Sequence, residues 1–418
     1  MDAKLHTPEG VKDYLPAEAV FKTEIERSIE SVFSKYGFLP VSSPTFEYME
    51  VFDGNGGVSP NQMYKFIDRD GALLTLRADM TPPIARIAAT AYEEKDIPLR
   101  FYYFERVFRY NEHYQGKLRE SNQAGIELIG VNSPDADAEA IAVAVNSLKV
   151  CGLKSFKLCI GQVQFFNAVL EEGKFDQKTC EKIRNYIIDK EYTAALKIAK
   201  EVNAPENIVT FFKELPMLIG GQEIIEKAKS LVNSEKALDA LNDLENIYQI
   251  LSEYKSQQYI SFDLSIIGLS YYTGIIFRGY AEGTGFSIIN GGRYDKLVEN
   301  YGADYPAVGF AIKINNLLTA LESQNVKVKS KKPDTLLMYT KEGRATAISS
   351  SAELRNQGVK IENSLLGDDI EKNKQYAKQK GMGGILYFIN SEDVKIINIE
   401  QDTVSDIKIS ELLKGDAK

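Results

Sequence analysis

Apolar residues fall three and four apart near the start of the chain, at Phe21, Ile25, Ile29, Val32, Phe33 and Tyr36, with Gly37 just after. That spacing predicts an amphipathic helix with a glycine stop. Residues 38–44 then read as a strand ended by Pro44. Residues 64–67 and 72–76 flank Asp70-Gly71, a pair that tolerates positive φ and predicts a hairpin. Further strands are expected at 99–110 and 124–131. A helix follows at 134–148, with acids in its first turn and an Ala/Ile/Val face. From 173 to 254 charged residues dominate and apolar ones keep helical spacing (Leu238, Leu241, Leu244, Ile247, Leu251), which marks a helical insertion. Strands resume at 260–264, 274–280 and 285–290, and a helix at 314–321 closes this part.

Beyond the polar stretch Ser330-Lys331-Lys332-Pro333, strands are expected at 335–339, 359–363, 385–389 and 395–399. Helical stretches ending at Gly358 and Gly381 separate the first three, as in a small α/β domain. Hairpin logic makes the first domain's strands antiparallel, so the class is α+β. The expected division is a core over 1–325, an insertion within it over 173–254, and a C-terminal α/β domain over 334–418.

At 418 residues the chain suits two or three domains. A net charge of −9 argues against a dedicated nucleic-acid binder, whose phosphate contacts need concentrated Lys and Arg. Cys151, Cys159 and Cys180 build no disulfide framework and no CxxC zinc pattern, which fits a reducing cytoplasm. No run approaches 18 apolar residues and the start of the chain is polar, so neither a membrane span nor secretion is expected. Only His6 and His113 exist, which excludes a His-rich metal site. Gly54-Asn55-Gly56-Gly57 lacks the Lys-Ser/Thr of a phosphate loop and reads as a surface loop.

Three separated segments carry a resemblance. The first is Phe104-Glu105-Arg106-Val107-Phe108-Arg109-Tyr110, continued by Gly116-Lys117-Leu118-Arg119-Glu120 and by Gln123-Ala124-Gly125-Ile126-Glu127-Leu128-Ile129-Gly130. The second is Gly268-Leu269-Ser270-Tyr271-Tyr272-Thr273-Gly274. The third is Gly291-Gly292-Arg293-Tyr294-Asp295, with Pro306-Ala307-Val308-Gly309-Phe310-Ala311-Ile312 beyond it. In this order and spacing they resemble the class II histidyl-tRNA synthetases, and most closely their non-catalytic relatives, the regulatory subunits of ATP phosphoribosyltransferase. Ala352-Glu353-Leu354-Arg355-Asn356-Gln357-Gly358 and Gln375-Tyr376-Ala377 resemble, more weakly, the anticodon-binding domain of those synthetases.

The resemblance implies an amino-acid pocket. Asp79 and Thr81 match the carboxylate and threonine that hold the ammonium. Arg109 matches the arginine facing the carboxylate or α-phosphate. Gln123 and Glu127 share one face of a strand because side chains repeat every two residues. Glu127 is suited to accept an imidazole N–H, and Tyr271 or Tyr272 would supply an aromatic wall. A competing reading pairs Glu127 with Arg109 as an ordinary ion pair in a sheet.

The chemistry is expected to be missing. ATP activation needs cations placed in advance, yet the two synthetase arginines correspond to Ile267 and Asn316. The adenine-reading glutamate corresponds to Asn111. Ser270 replaces an aspartate, and Lys313 and Asn290 replace glycines. What the resemblance implies is a non-enzymatic regulatory subunit, with no cofactor and no metal. It would bind L-histidine, dimerise near Pro44 and partner a short catalytic ATP phosphoribosyltransferase. An active synthetase with displaced residues and a stand-alone histidine sensor are the alternatives.

Overall fold

Helix α1 (Pro16–Lys35) begins five residues earlier than the apolar spacing indicates, because Pro16 is preset for a first helical position and its turn carries no apolar stripe. It buries Ile25, Ile29, Val32 and Phe33. Strand β1 is only Leu39–Pro40, shorter than the expected 38–44, since prolines at 40 and 44 remove ladder donors. The structure is a computed structural model that describes residues 2–52, 57–110, 118–268, 271–327 and 333–414. His113, Asn111, Ser270, residues 53–56 and most of the 330–333 linker lie outside the described residues. The chain forms two contact units, Met1–Val328 and Lys329–Lys418.

In the first unit, β2 (Phe46–Tyr48), β3 (Lys65–Ile67) and β4 (Leu73–Leu76) make a small antiparallel sheet in the order β2-β4-β3. Gly71 turns the β3–β4 hairpin at φ +89°, where a side chain would be strained. Helix α2 (Thr81–Ala91) follows; two prolines in its first turn hide it from a periodicity reading. Then come β5 (Leu99–Phe108), β6 (Glu120–Ile129) and α3 (Pro134–Val150). The α3 start is capped by Ser133, whose hydroxyl accepts from the Ala136 amide at 3.2 Å. Strand β7 (Phe156–Gln162) and helix α4 (Val163–Glu172) were not apparent from the sequence pattern.

The 173–254 interval holds α5 (Gln177–Ile188), α6 (Tyr192–Glu201), α7 (Glu206–Glu214), β8 (Ile219–Gly220), α8 (Glu223–Lys229) and α9 (Glu235–Glu253). Its buried residues join the same apolar cluster as α1, α3 and the sheet, and α9 packs on α3 and α4. The unit closes with β9 (Ile260–Asp263), β10 (Ile275–Ala281), β11 (Ile289–Arg293), β12 (Ala307–Lys313) and α10 (Ile314–Ser323). Strand β11 starts later than the expected 285–290, so Gly291 and Gly292 lie within the ladder. These strands form a nine-stranded sheet in the order β1-β5-β6-β12-β11-β10-β7-β9-β8. It is antiparallel except at two pairs, β1 with β5 and β7 with β9. A hairpin cannot make a parallel pair; β7 reaches β9 only through the long helical crossover between them.

The second unit is β13 (Thr335–Tyr339), α11 (Arg344–Asn356), β14 (Ile361–Asn363), α12 (Ile370–Lys380), β15 (Gly384–Phe388), β16 (Asp393–Asn398), β17 (Thr403–Lys408) and α13 (Ile409–Lys414). Its sheet runs β14-β13-β15-β16-β17, with the first three strands parallel, and each face carries its own apolar cluster.

Phe33 fastens α1 to the large sheet. It is fully buried and its ring lies 5.8 Å from Tyr102 and 6.0 Å from both Phe104 and Phe310. Phe33→Ala is expected to cost about 3–5 kcal/mol, the usual range for emptying a buried phenylalanine site. Urea denaturation followed by circular dichroism measures it, and a loss below about 1 kcal/mol would mean the helix is held mainly by other contacts.

Candidate functional site

The turn from β4 into α2 is built around Arg77, which is almost wholly buried. Its guanidinium pairs with Glu105 and donates to the carbonyls of Ser43 and Arg106, each at 2.7 Å. A turn stapled at three points leaves the next residues little freedom. Asp79 Oδ1 accepts from the Met80 amide at 2.7 Å, and Oδ2 accepts from Arg109 Nη2 at 2.8 Å. Arg109 Nε also donates to the Ala78 carbonyl at 2.7 Å. Arg109 therefore pairs with Asp79, and the alternative Arg109–Glu127 pair does not form.

Glu127 sits on β6, 1 % exposed. Thr81, the first residue of α2, donates its hydroxyl to Oε1 at 2.9 Å, and the Tyr294 hydroxyl bonds Oε2. Both donors are neutral. Burial consequently pushes the Glu127 carboxyl up to about 8, against the smaller opposing pull of the Tyr294 and Thr81 bonds, and the Asp79 charge adds to the rise. Gly309 faces Glu127 across the β6–β12 ladder, and a Cβ there would collide with the carboxylate. Only glycine lets the two strands close over this acid.

Tyr271 and Tyr272 stand on the other side, ring centroids 4.7 Å apart, with Tyr271 edge-on to Tyr294 at 6.1 Å. Burial raises both hydroxyls. Their segment is tied down by Thr273, which donates from its amide to the Arg293 carbonyl at 2.8 Å and from its hydroxyl to Asp295 at 3.0 Å. Arg293 is buried and bridges Asp137 at 2.8 Å and Asp295 at 2.9 Å. Burial raises Asp137 to about 6 even beside that cation.

Asp79, Thr81, Arg109, Gln123, Glu127, Tyr271 and Tyr272 all line one cavity of about 60 Å³. Two buried polar atoms here have no hydrogen-bond partner among the described residues: Gln123 Oε1, on the cavity wall, and the hydroxyl of Tyr103. Buried polar groups are nearly always paired, so an amide oxygen left open on a cavity wall is a place for a ligand donor. Sequence reasoning did not assign Tyr294 to the site, although it lies inside the quoted Gly-Gly-Arg-Tyr-Asp segment. Asn290 and Lys313 also line the cavity, at positions noted before only as departures from glycine.

The side chains at the positions expected to have lost their catalytic groups make ordinary structural contacts. Ile267 is buried and belongs to the main apolar cluster. Asn316 spends its amide on the Ser287 carbonyl at 2.8 Å, and Lys313 Nζ bonds the Ser287 hydroxyl at 2.9 Å. Asn111 lies outside the described residues. Among the described residues no group of three His, Cys, Asp or Glu side chains could hold a metal, and no helix is long and apolar enough to cross a membrane.

The histidyl-tRNA synthetase family profile matches residues 10–317. A relative from Acetivibrio thermocellus, named ATP phosphoribosyltransferase regulatory subunit, is 41 % identical over 99 % of both chains. One of the same name from Ruminiclostridium cellulolyticum is 36 % identical over 99 % of both. This chain belongs to the ATP phosphoribosyltransferase regulatory subunit family. A solved structure from Bacillus halodurans, titled as a regulatory subunit of ATP phosphoribosyltransferase/histidyl-tRNA synthetase, superimposes with a TM-score of 0.82 at 31 % identity, covering 92 % of this chain and 98 % of the other. Histidyl-tRNA synthetase from Nostoc shares the fold, with a TM-score of 0.83 at 20 % identity over 98 % of each chain. The relatives are named for regulation rather than for catalysis.

The pH dependence of stability follows from the two raised carboxyls. A carboxyl whose folded value lies above its ordinary one favours the folded state most at low pH, and that contribution is lost as pH climbs toward the folded value. Asp137 titrates out by about 6 and Glu127 by about 8. Wild-type stability is therefore expected to fall between pH 6 and 8 by on the order of a few kcal/mol at most, and Glu127→Gln to flatten that window. Chemical denaturation at pH 6, 7 and 8 checks it; parallel profiles for both proteins would mean Glu127 is already ionised at pH 6.

Proposed function

We propose that the cavity binds free L-histidine, and that the protein acts as the histidine-responsive regulatory subunit of a short-form ATP phosphoribosyltransferase in the cytoplasm. The observation that carries this reading is the pairing of opposites inside one cavity. Asp79 and Arg109 lie in contact at 2.8 Å, the arrangement that an amino-acid zwitterion can replace by giving its ammonium to the acid and its carboxylate to the guanidinium. Beyond them Glu127, held near neutrality, can donate to or accept from an imidazole nitrogen, and Gln123 Oε1 remains open for a second bond. A leucine side chain would strand those buried groups, and a lysine would carry a full positive charge into a dry pocket whose carboxyl is held near neutrality.

Catalysis is not part of the proposal. Charge develops on the phosphates during amino-acid activation, and removing even one preorganised donor from such a site costs about a hundred- to a thousandfold in rate. Here one arginine position is an apolar core residue and the other bonds a neighbouring carbonyl. The names of the relatives support the catalytic partner. Self-association is supported by an exposed aromatic patch on the small sheet close to Pro44, made of Phe46, Tyr48 and Phe66 at 54 %, 59 % and 40 % exposure. Monomeric proteins seldom leave grouped aromatics in water.

Calorimetry on the purified protein is expected to detect histidine but not leucine or lysine. Glu127→Ala should weaken histidine binding by about 1–3 kcal/mol, the usual cost of leaving a buried polar partner unmatched; unchanged affinity would locate the histidine site elsewhere.

Mixed with a short ATP phosphoribosyltransferase, the protein is expected to form a hetero-oligomer visible by light scattering, to be required for full turnover, and to confer inhibition by histidine. Histidine can inhibit only by binding two states of the assembly unequally. Alone, the protein should give no histidine-dependent ATP–pyrophosphate exchange. Exchange above a heat-killed control would restore the synthetase reading, and a catalytic subunit that neither associates nor changes its histidine response would overturn the regulatory one.

A further inference from the structure

Helix α5 buries Ile183 and Ile187 in the main core. Its adjoining face, Glu181, Arg184, Asn185 and Ile188, lines a separate cavity of about 500 Å³, closed on the far side by Asn167, Ile267 and Tyr272. That volume lies in the range of small-molecule sites. Among the described residues, Tyr272 is the one that lines both this cavity and the first pocket.

Arg184 is the sole cation among the described residues of this lining. One Nη donates to Asn167 Oδ1 at 2.6 Å, and the guanidinium lies 5.8 Å over the Phe166 ring. Among the described residues no carboxylate pairs with it; Glu181, three residues earlier on the helix, accepts from Gln177 at 3.4 Å. The contrast with other arginines of the unit is informative. Arg77, Arg100, Arg109 and Arg293 each meet a carboxylate within 3 Å. A partly buried charge without a carboxylate partner is costly, and burial lowers the affinity of Arg184 for its proton, a pull that the nearby Cys180 thiol offsets only in part. A guanidinium carries five N–H donors in a fork that fits the paired oxygens of carboxylate or phosphate. Around it, Val163, Ile188, Ile267 and the ring of Tyr272 offer an apolar wall, and the other charged group of the lining, Glu181, accepts from Gln177.

We propose that this cavity is a second ligand site, in which Arg184 binds the oxyanion, phosphate or carboxylate, of a small molecule whose apolar or aromatic body lies against Ile267, Ile188 and Tyr272. The proposal is independent of histidine recognition in the first pocket. It rests on Arg184 and Ile267 lining the same cavity.

The test uses the full-length protein and three probes in calorimetry: phenyl phosphate, benzoate and inorganic phosphate. Phenyl phosphate or benzoate is expected to bind, at least tenfold more tightly than inorganic phosphate if the apolar wall contributes, and whichever binds better identifies the oxyanion. Arg184→Gln should weaken that binding at least tenfold. Because Arg184 also packs on Phe166, Asn185→Asp serves as the second variant: its exposed position on the cavity lining adds a repelling charge without disturbing the core, and it too should weaken binding at least tenfold. Arg109→Gln should leave it within twofold. No binding of any probe at millimolar concentration would overturn the proposal. So would equal binding by inorganic phosphate and phenyl phosphate, which removes the apolar wall, or binding lost with Arg109 and retained in both α5 variants, which moves the anion into the first pocket.

Discussion

Arg293 is the joint on which the site hangs. One buried guanidinium takes Asp137 from the start of α3, Asp295 from the turn after β11 and the carbonyl of Val131 beyond β6. Asp295 in turn accepts from Thr273, which carries the Tyr271–Tyr272 segment. The residue after Arg293 is Tyr294, whose hydroxyl holds Glu127. A single cation thereby fixes an aromatic wall, a carboxyl donor and a helix start relative to one another. Removing one member of such a buried network leaves the others uncompensated, which is why breaking buried pairs is far more damaging than their net worth implies.

With that frame in place, the contrast between recognition and catalysis becomes a matter of local charge. The groups proposed for recognition are an ion pair at Asp79 and Arg109 and a carboxyl lifted toward neutrality at Glu127. At the two positions proposed to have lost a cation stand an apolar side chain, Ile267, and an amide turned to a backbone carbonyl, Asn316. In the proposed reading, binding an amino acid and activating it depend on different residues of the same scaffold, so one can persist without the other.

The helical crossover between β7 and β9 links this site to the rest of the unit. It is not a detached module: its buried face completes the main core, and α5 brings Arg184 to the far side of Tyr272. Tyr271 and Tyr272, whose hydroxyls hydrogen-bond each other, thus stand between two cavities of different character.

Helix α1, the Asp70-Gly71 hairpin, α3 and most strands of the second unit were legible in the sequence because their signals are local: apolar period, a turn dipeptide, a cap, a glycine stop. The seven pocket residues have no such local signal: they were named through the family resemblance, and it is the fold that brings their separated segments to one cavity. Prolines at 40, 82 and 83 masked β1's true length and α2, since they upset the period without abolishing the element. What only the tertiary structure decided are the relations between distant segments. The parallel β7–β9 pair needs a crossover that no hairpin rule contains, and Arg109 chose Asp79 over Glu127 because the Arg77-stapled turn brings that acid to 2.8 Å. Likewise Tyr294 reaches Glu127 across 167 positions of chain, and the resulting dry, uncharged surroundings raise its carboxyl to about 8. Residue type is written in sequence, but dielectric, pairing and the direction of a proton equilibrium depend on which side chains exclude water together.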